Sequence, residues 1–179
     1  MHIRSLNHLV EAVRALARTE RIIVLGSSSL LGTDPQLGEP GQPLELSFDA
    51  DLLLHPDDDE SARILHEAVG EGSLFHRRHA CFADLLRPEI VGTLPDGWEP
   101  RLVRLPGHPD VSCLDPHDLA LVKLALGREK DMTLLAQLLK RKVIHPEELR
   151  RRYQALTWEV RRINRTGRNL GRLLDPDPA

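Results

Sequence analysis

The 179-residue chain reads as an α/β protein, a sheet interleaved with helices and then a subdomain of helices alone. Three observations predict this class. Short apolar runs bounded by Gly and Pro, such as RIIVLG at 21–26, have the length and composition of buried strands. Between several of them lie stretches whose apolar residues recur every three or four positions, the period of a helix. Beyond Asp115 only helical patterns recur.

In order along the chain, residues 5–17 place Leu6, Leu9, Val10, Val13, Leu16 and Ala17 on one helical face. The strand at 21–26 ends in Gly26, and SSSLLG (27–32) reads as a tight turn into a brief helix. TDPQLGEPGQP (33–43) is so rich in Pro and Gly that it predicts a loop. LELSFDADLLL (44–54) resumes strand character. Asp57, Asp58 and Asp59 precede a helical pattern through Ile64, Leu65, Ala68 and Val69, where acidic side chains cap free N–H groups and complement the helix dipole. GEGS (70–73) breaks that helix. CFADLL (81–86) is strand-like, LPDGWEP (94–100) is a turn, and RLVRL (101–105) is another strand. Asp115 and Pro116 suit the N-cap and first turn of a long helix. Two more helices are expected near 132–141 and 146–160, and 167–179 lacks periodicity and reads as a frayed end. The expected organisation is an α/β core over 1–115 and a helical C-terminal subdomain with a basic surface over 116–179.

Composition narrows the classes. A hydrophobic fraction of 41% and a charged fraction of 28% are ordinary for a globular chain. Aromatics are only 3%, so Leu, Val, Ile and Ala must fill the core, and few rings are left to stack on single-stranded nucleic acid. No apolar run approaches the roughly 18 residues of a membrane span, and the opening residues lack a signal peptide's apolar centre. Cys81 and Cys113 stand apart, without CxxC spacing. A cytoplasmic protein with reduced thiols and no membrane partner is expected. The net charge of −3 hides a strong asymmetry. Residues 1–127 carry 11 Lys/Arg against 20 Asp/Glu, whereas 128–172 carry 13 against 5. The basic part either meets something anionic or is a solvated helical face that balances an acidic body.

The sharpest chemical feature is Asp49-Ala50-Asp51. In an extended strand, residues i and i+2 project from the same face. Two carboxylates side by side repel unless a cation lies between them. Mg²⁺ favours such oxygen ligands and keeps waters that a substrate phosphate can replace. Upstream, Gly26-Ser27 ends a strand where the backbone can approach a phosphate and a small hydroxyl can hydrogen-bond it. Other chemistries find little support. The nine histidines show no HExxH or Cys/His ligand spacing, the serine run is not GxSxG, and Gly26 with Gly32 is not GxGxxG.

VLGSSSLLG followed by SFDADLLL resembles the nucleotidyltransferase superfamily pattern: a strand, Gly-Gly or Gly-Ser, then Asp-x-Asp on the next strand. LPDGWEPRLV (94–103) and LDPHDLALVKLALGREKD (114–131) extend the resemblance to small bacterial nucleotidyltransferases related to abortive-infection toxins of toxin–antitoxin systems. The resemblance implies a nucleotidyltransferase-like mixed sheet with flanking helices. It implies that Gly26 and Ser27 hold the terminal phosphates of a nucleoside triphosphate and that Asp49 and Asp51 bind Mg²⁺ or Mn²⁺. Family members commonly supply a third carboxylate from a later strand, and Asp84 is the best-placed residue here; the bland alternative is a strand-end aspartate. Lys123 and Asp131 match a Lys and a later Asp of the related toxins. Lys123 either snorkels outward from its apolar helix or contacts phosphate, and Asp131 reads better as a helix cap. The spacing from Gly26-Ser27 to Asp49 exceeds the family's compact hairpin because of the 33–43 loop.

Two functions follow from the resemblance. One is a metal-dependent enzyme moving a nucleoside monophosphate from a nucleoside triphosphate to an RNA end, notably of tRNA, or to a protein, with a cognate antitoxin as a further partner. The other is an inactive module of the same fold that binds a partner protein or nucleic acid. Arg150, Arg151, Arg152, Arg161 and Arg162 suit an RNA backbone in the first reading.

Overall fold

The computed structural model describes residues 1–17, 19–56 and 58–175. Among these, the chain forms two compact units, one of 1–91 with 102–114 and one of 92–101 with the residues from 115 onward. Among the described residues no helix is long and apolar enough to cross a membrane.

The first unit is built on a five-stranded mixed sheet in the order β3-β2-β1-β5-β4. Its strands are β1 (Arg21–Val24), β2 (Asp49–His55), β3 (Phe82–Leu85), β4 (Val103–Leu105) and β5 (His108–Cys113). β1 runs antiparallel to β2 and parallel to β5, and β3 runs parallel to β2. Ile22, Ile23, Val24, Leu52, Leu53, Leu54 and Val111 are buried, as the apolar composition of the central strands requires. Helix α1 (Ile3–Leu16) buries Leu6, Leu9, Val10 and Val13 and packs on α2 (Asp59–Val69), which lies against β3. Asp58 caps α2 by accepting a hydrogen bond from the Ser61 N–H at 2.8 Å. Asp57 lies outside the described residues.

Several expectations change. The extended run expected from 44 begins only at Asp49, because residues 42–47 fold into successive tight turns, with Glu45 N–H bonded to Gln42 and Ser47 N–H to Leu44. The Pro- and Gly-rich stretch contains a 3-10 helix, Pro35–Gly38, that buries Leu37. A short helix, α3 (Leu74–His79), and strand β5 were not expected. β5 forms a hairpin with β4, and its Pro109 precedes Val111–Cys113, the part that pairs with β1. Asp110 lies in β5 and is ion-paired to Arg14. Both cysteines are buried free thiols, and burial pushes that of Cys113 up to about 12.

The second unit is helical: α4 (Pro116–Leu126), α5 (Glu129–Lys140), α6 (Pro146–Gln154) and α7 (Val160–Leu174). α4 contacts the other three and is buried on nearly every side. Asp115 caps it through the His117 and Asp118 N–H groups, and Gly127 ends it in the left-handed region at φ 65°. Asp118, fully buried, is gripped by Arg101 through Nε at 2.7 Å and Nη2 at 3.0 Å, and by Arg152 Nη1 at 2.8 Å. Arg152 also reaches Asp115 at 2.7 Å and Glu148 at 2.6 Å. Burial works against ionisation of Asp115, but His117 and Arg152 outweigh it and bring its carboxyl to about 2.

The expected frayed end is instead the second half of α7, which is helical to Leu174; residues 176–179 lie outside the described residues. Its buried face carries Thr166, Asn169 and Leu170. Asn169 Nδ2 donates to the Leu124 carbonyl at 2.7 Å, and a Cβ on Gly167 would meet the Tyr153 hydroxyl at 2.3 Å. Thr166, Gly167 and Asn169 on that face are polar or small, so its packing is not legible from apolar residues alone.

Candidate functional site

Asp49 and Asp51 open β2, two residues apart, and so leave the strand on one face. Ala50 between them is fully buried on the opposite face, while Asp49 is exposed and Asp51 half-buried. The register of β3 then decides the position of Asp84. Asp51 is paired directly with Asp84, and Asp49 with Phe82. Partners across a sheet share a face, and adjacent strands lie about 4.8 Å apart. Asp84, exposed, is therefore beside Asp51 and on the same face.

The turn after β1 closes over this pair. Leu25 N–H donates to the Asp51 carbonyl at 2.8 Å, continuing the β1–β2 ladder to the edge of the site. Gly26 follows at φ 52° and ψ −161°, a conformation that glycine alone adopts readily. A Cβ there would fall 1.7 Å from Asp51 Oδ2, so the carboxylate occupies the space that any other side chain would fill. Ser28 and Ser29 are buried, and their hydroxyls donate to the Asp49 carbonyl at 2.6 Å and the Gly26 carbonyl at 2.8 Å. Ser27 stays half-buried, and its hydroxyl makes no hydrogen bond among the described residues.

Gly26, Ser27, Asp49, Asp51 and Asp84 thus gather on one end of the sheet in the first unit. Among the described residues no group of three or more His, Cys, Asp or Glu side chains is placed so that it could hold a metal ion. The three carboxylates share a face and a register, and their oxygen donors are of the hard type that Mg²⁺ and Mn²⁺ take. The chemistry of the donors, three carboxylates on one face, suits such an ion.

Residues 2–167 match the model of a protein family described as nucleotidyltransferase of unknown function (DUF6036). The chain belongs to this nucleotidyltransferase family. Comparison with curated proteins and with solved structures gave no match.

In this nucleotidyltransferase, Lys123 and Asp131 lie in the second unit. Lys123 Nζ donates to Asp131 Oδ1 at 2.9 Å, with the two side chains 8% and 1% exposed. Arg128 Nε reaches Asp131 Oδ2 at 2.6 Å. Asp131 sits inside α5 rather than capping it. Burial would raise its carboxyl, but Arg128 and Lys123 outweigh that and hold it below the ordinary range. The basic triplet is also engaged: Arg150 pairs with Glu147 at 3.6 Å and Arg151 with Glu148 at 2.6 Å, and Arg152 is held by Asp115, Asp118 and Glu148.

The role of Ser28 escaped sequence reasoning. A buried serine that anchors the carbonyl of Asp49 has no signature beyond its place two residues after the glycine. The collision at position 26 gives a direct prediction. Gly26→Ala should displace Asp51 or reverse the turn's φ, and lower Mn²⁺ affinity, by titration calorimetry, by at least the about 10-fold typical of disturbed supporting contacts. Unchanged affinity would show that Asp51 does not depend on this turn.

Proposed function

We propose that this nucleotidyltransferase moves a nucleoside monophosphate from a nucleoside triphosphate to a hydroxyl acceptor, with Asp49, Asp51 and Asp84 holding Mg²⁺ or Mn²⁺. The observation that carries the reading is the register of β2 with β3, which sets Asp84 beside Asp51 on the face that also bears Asp49. Family membership supports the reaction class. A divalent ion in such a site neutralises phosphate charge and stabilises what develops at the α-phosphorus during in-line attack.

The chain's own residues do the rest. Asp49 and Asp51 are fixed through their backbones, one by Ser28 and the other by Leu25, so the carboxylates are presented at set positions. Gly26 leaves room for the Asp51 carboxylate, and its bare backbone with the Ser27 hydroxyl suits contact with the triphosphate. Asp84, exposed like Asp49, suits acceptance of the proton from the attacking hydroxyl. Lys123, being tied to Asp131, is assigned to the folding of the second unit instead of to phosphate.

The test is incubation with each α-labelled nucleoside triphosphate, Mg²⁺ or Mn²⁺, and total RNA or lysate, together with melting curves. Label should appear on a macromolecule only with metal, and metal plus nucleotide should raise the melting temperature by binding the native state. A melting shift without label transfer in any lysate would make the protein a nucleotide-binding module instead.

A further inference from the structure

We infer that one face of α7, carrying Arg161, Arg165, Arg168 and Arg172, is the docking surface for an RNA acceptor. This deepens the reading above, on which it rests, by naming the class of acceptor. The four residues follow the spacing i, i+4, i+7, i+11, which returns to the same side of a 3.6-residue helix. All four are exposed. They form a stripe about 16 Å long at the 1.5 Å helical rise.

The stripe differs from the Arg150–Arg152 triplet, which is neutralised, and is longer than the exposed basic run Lys140, Arg141 and Lys142. Arg150, Arg151 and Arg152 pair with Glu147, Glu148, Asp115 and Asp118. By contrast, α7 contains no acidic residue, and none of the four stripe arginines has an acidic partner among the described residues. Arg165 makes only a 3.5 Å contact to the Ala125 carbonyl. Arg162, off the stripe, is spent on structure: it lies 3.5 Å over the Trp158 ring and donates to the Thr93 carbonyl at 2.6 Å.

Charge and composition select the partner. Between the arginines the exposed face holds only Asn164 and Gly171, and the exposed apolar side chain of α7, Val160, stands at its first turn, outside the stripe. Protein partners need a desolvated apolar centre, whereas nucleic-acid surfaces are polar and strongly positive. The lack of aromatics fits backbone contact over base stacking. A short RNA presents a free 2′,3′-diol at its 3′ end, whereas chromosomal DNA offers few free ends.

The experiment measures binding of a labelled RNA hairpin by anisotropy between 50 and 200 mM salt, with a DNA hairpin of the same sequence and polyglutamate as parallel probes. The wild type should bind RNA with affinity that falls steeply with salt. R161Q/R165Q/R168Q/R172Q should lower the log–log slope by about 2.8 to 3.6, four contacts at about 0.7 to 0.9 each. Over that salt range the wild type would then lose about 50- to 150-fold more affinity than the variant. R150Q/R151Q should leave the slope unchanged. If the quadruple variant fails to fold by circular dichroism, R168Q/R172Q should still remove about 1.4 to 1.8. No RNA binding at 50 mM salt, an unaltered slope in the stripe variants, or tighter binding of DNA or polyglutamate overturns the inference. D49N/D51N separates it from the catalytic reading, because that variant should lose metal-nucleotide binding and keep RNA binding. A wild type that binds metal-nucleotide but not RNA overturns the docking surface alone; one that binds RNA but shows no metal-nucleotide shift overturns the catalytic reading alone.

Discussion

Asp49→Asn with Asp51→Asn should reduce nucleotidyl transfer by more than about 100-fold, since loss of a group that merely supports a metal ligand costs about 10- to 100-fold. The amide keeps the shape of the carboxylate but gives up the charge that would hold a divalent cation. Both side chains project from the start of β2 at the sheet surface, so the fold should survive and circular dichroism should be unchanged. The rise in melting temperature on adding Mn²⁺ with a nucleoside triphosphate should vanish in the same variant. Asp84→Asn, on the neighbouring strand, should give a smaller loss that added Mn²⁺ partly restores. Full activity in the double variant would remove both residues from the site. Full activity in Asp84→Asn alone would return that residue to the role of a strand aspartate.

The largest effect on stability is expected from Asp131→Ala. It would leave the Lys123 ammonium, 8% exposed, with no acidic partner, a change that costs about 3 to 5 kcal/mol. Lys123→Met with Asp131→Leu removes both charges and should recover most of that loss in urea unfolding, since Arg128 is 52% exposed and can turn to water. The pair also fixes a pH dependence. The folded Asp131 carboxyl is held below its unfolded value of about 3.9. Its contribution is therefore complete above that value and is lost as pH falls through the lower, folded one. The Met/Leu variant should lack this part of the acid sensitivity. It also tests the site: a stable double variant with weakened nucleotide binding would return Lys123 to phosphate contact.

What could be read from the sequence depended on how far apart the interacting residues were. Asp49 and Asp51 were legible because a strand's alternation of sides is local. Gly26 was legible as a turn, but its collision with Asp51 joins residues 25 apart and needs the β1–β2 pairing. Asp84 was only a candidate, because strand register is a long-range fact that no spacing encodes. The alternation of Leu44, Leu46 and Phe48 imitates a strand; Leu44 is buried in a turn while Leu46 and Phe48 are exposed. The basic triplet looked like a surface until Glu147, Glu148, Asp115 and Asp118 came together around it. The stripe on α7 was countable as charge, but its alignment appears only once the segment is known to be helical.

The covalent path between the two units crosses from one to the other three times, after 91, after 101 and after 114. Residues 92–101 bring Arg101 to Asp118, Thr93 to Arg162 and Leu94 to Trp158, and then the chain returns to lay down β4 and β5. A gene rearrangement with one breakpoint near 115 would therefore carry off four helices without the piece that clamps them. The helical unit is not a cassette that recombination could append to another enzyme in one event.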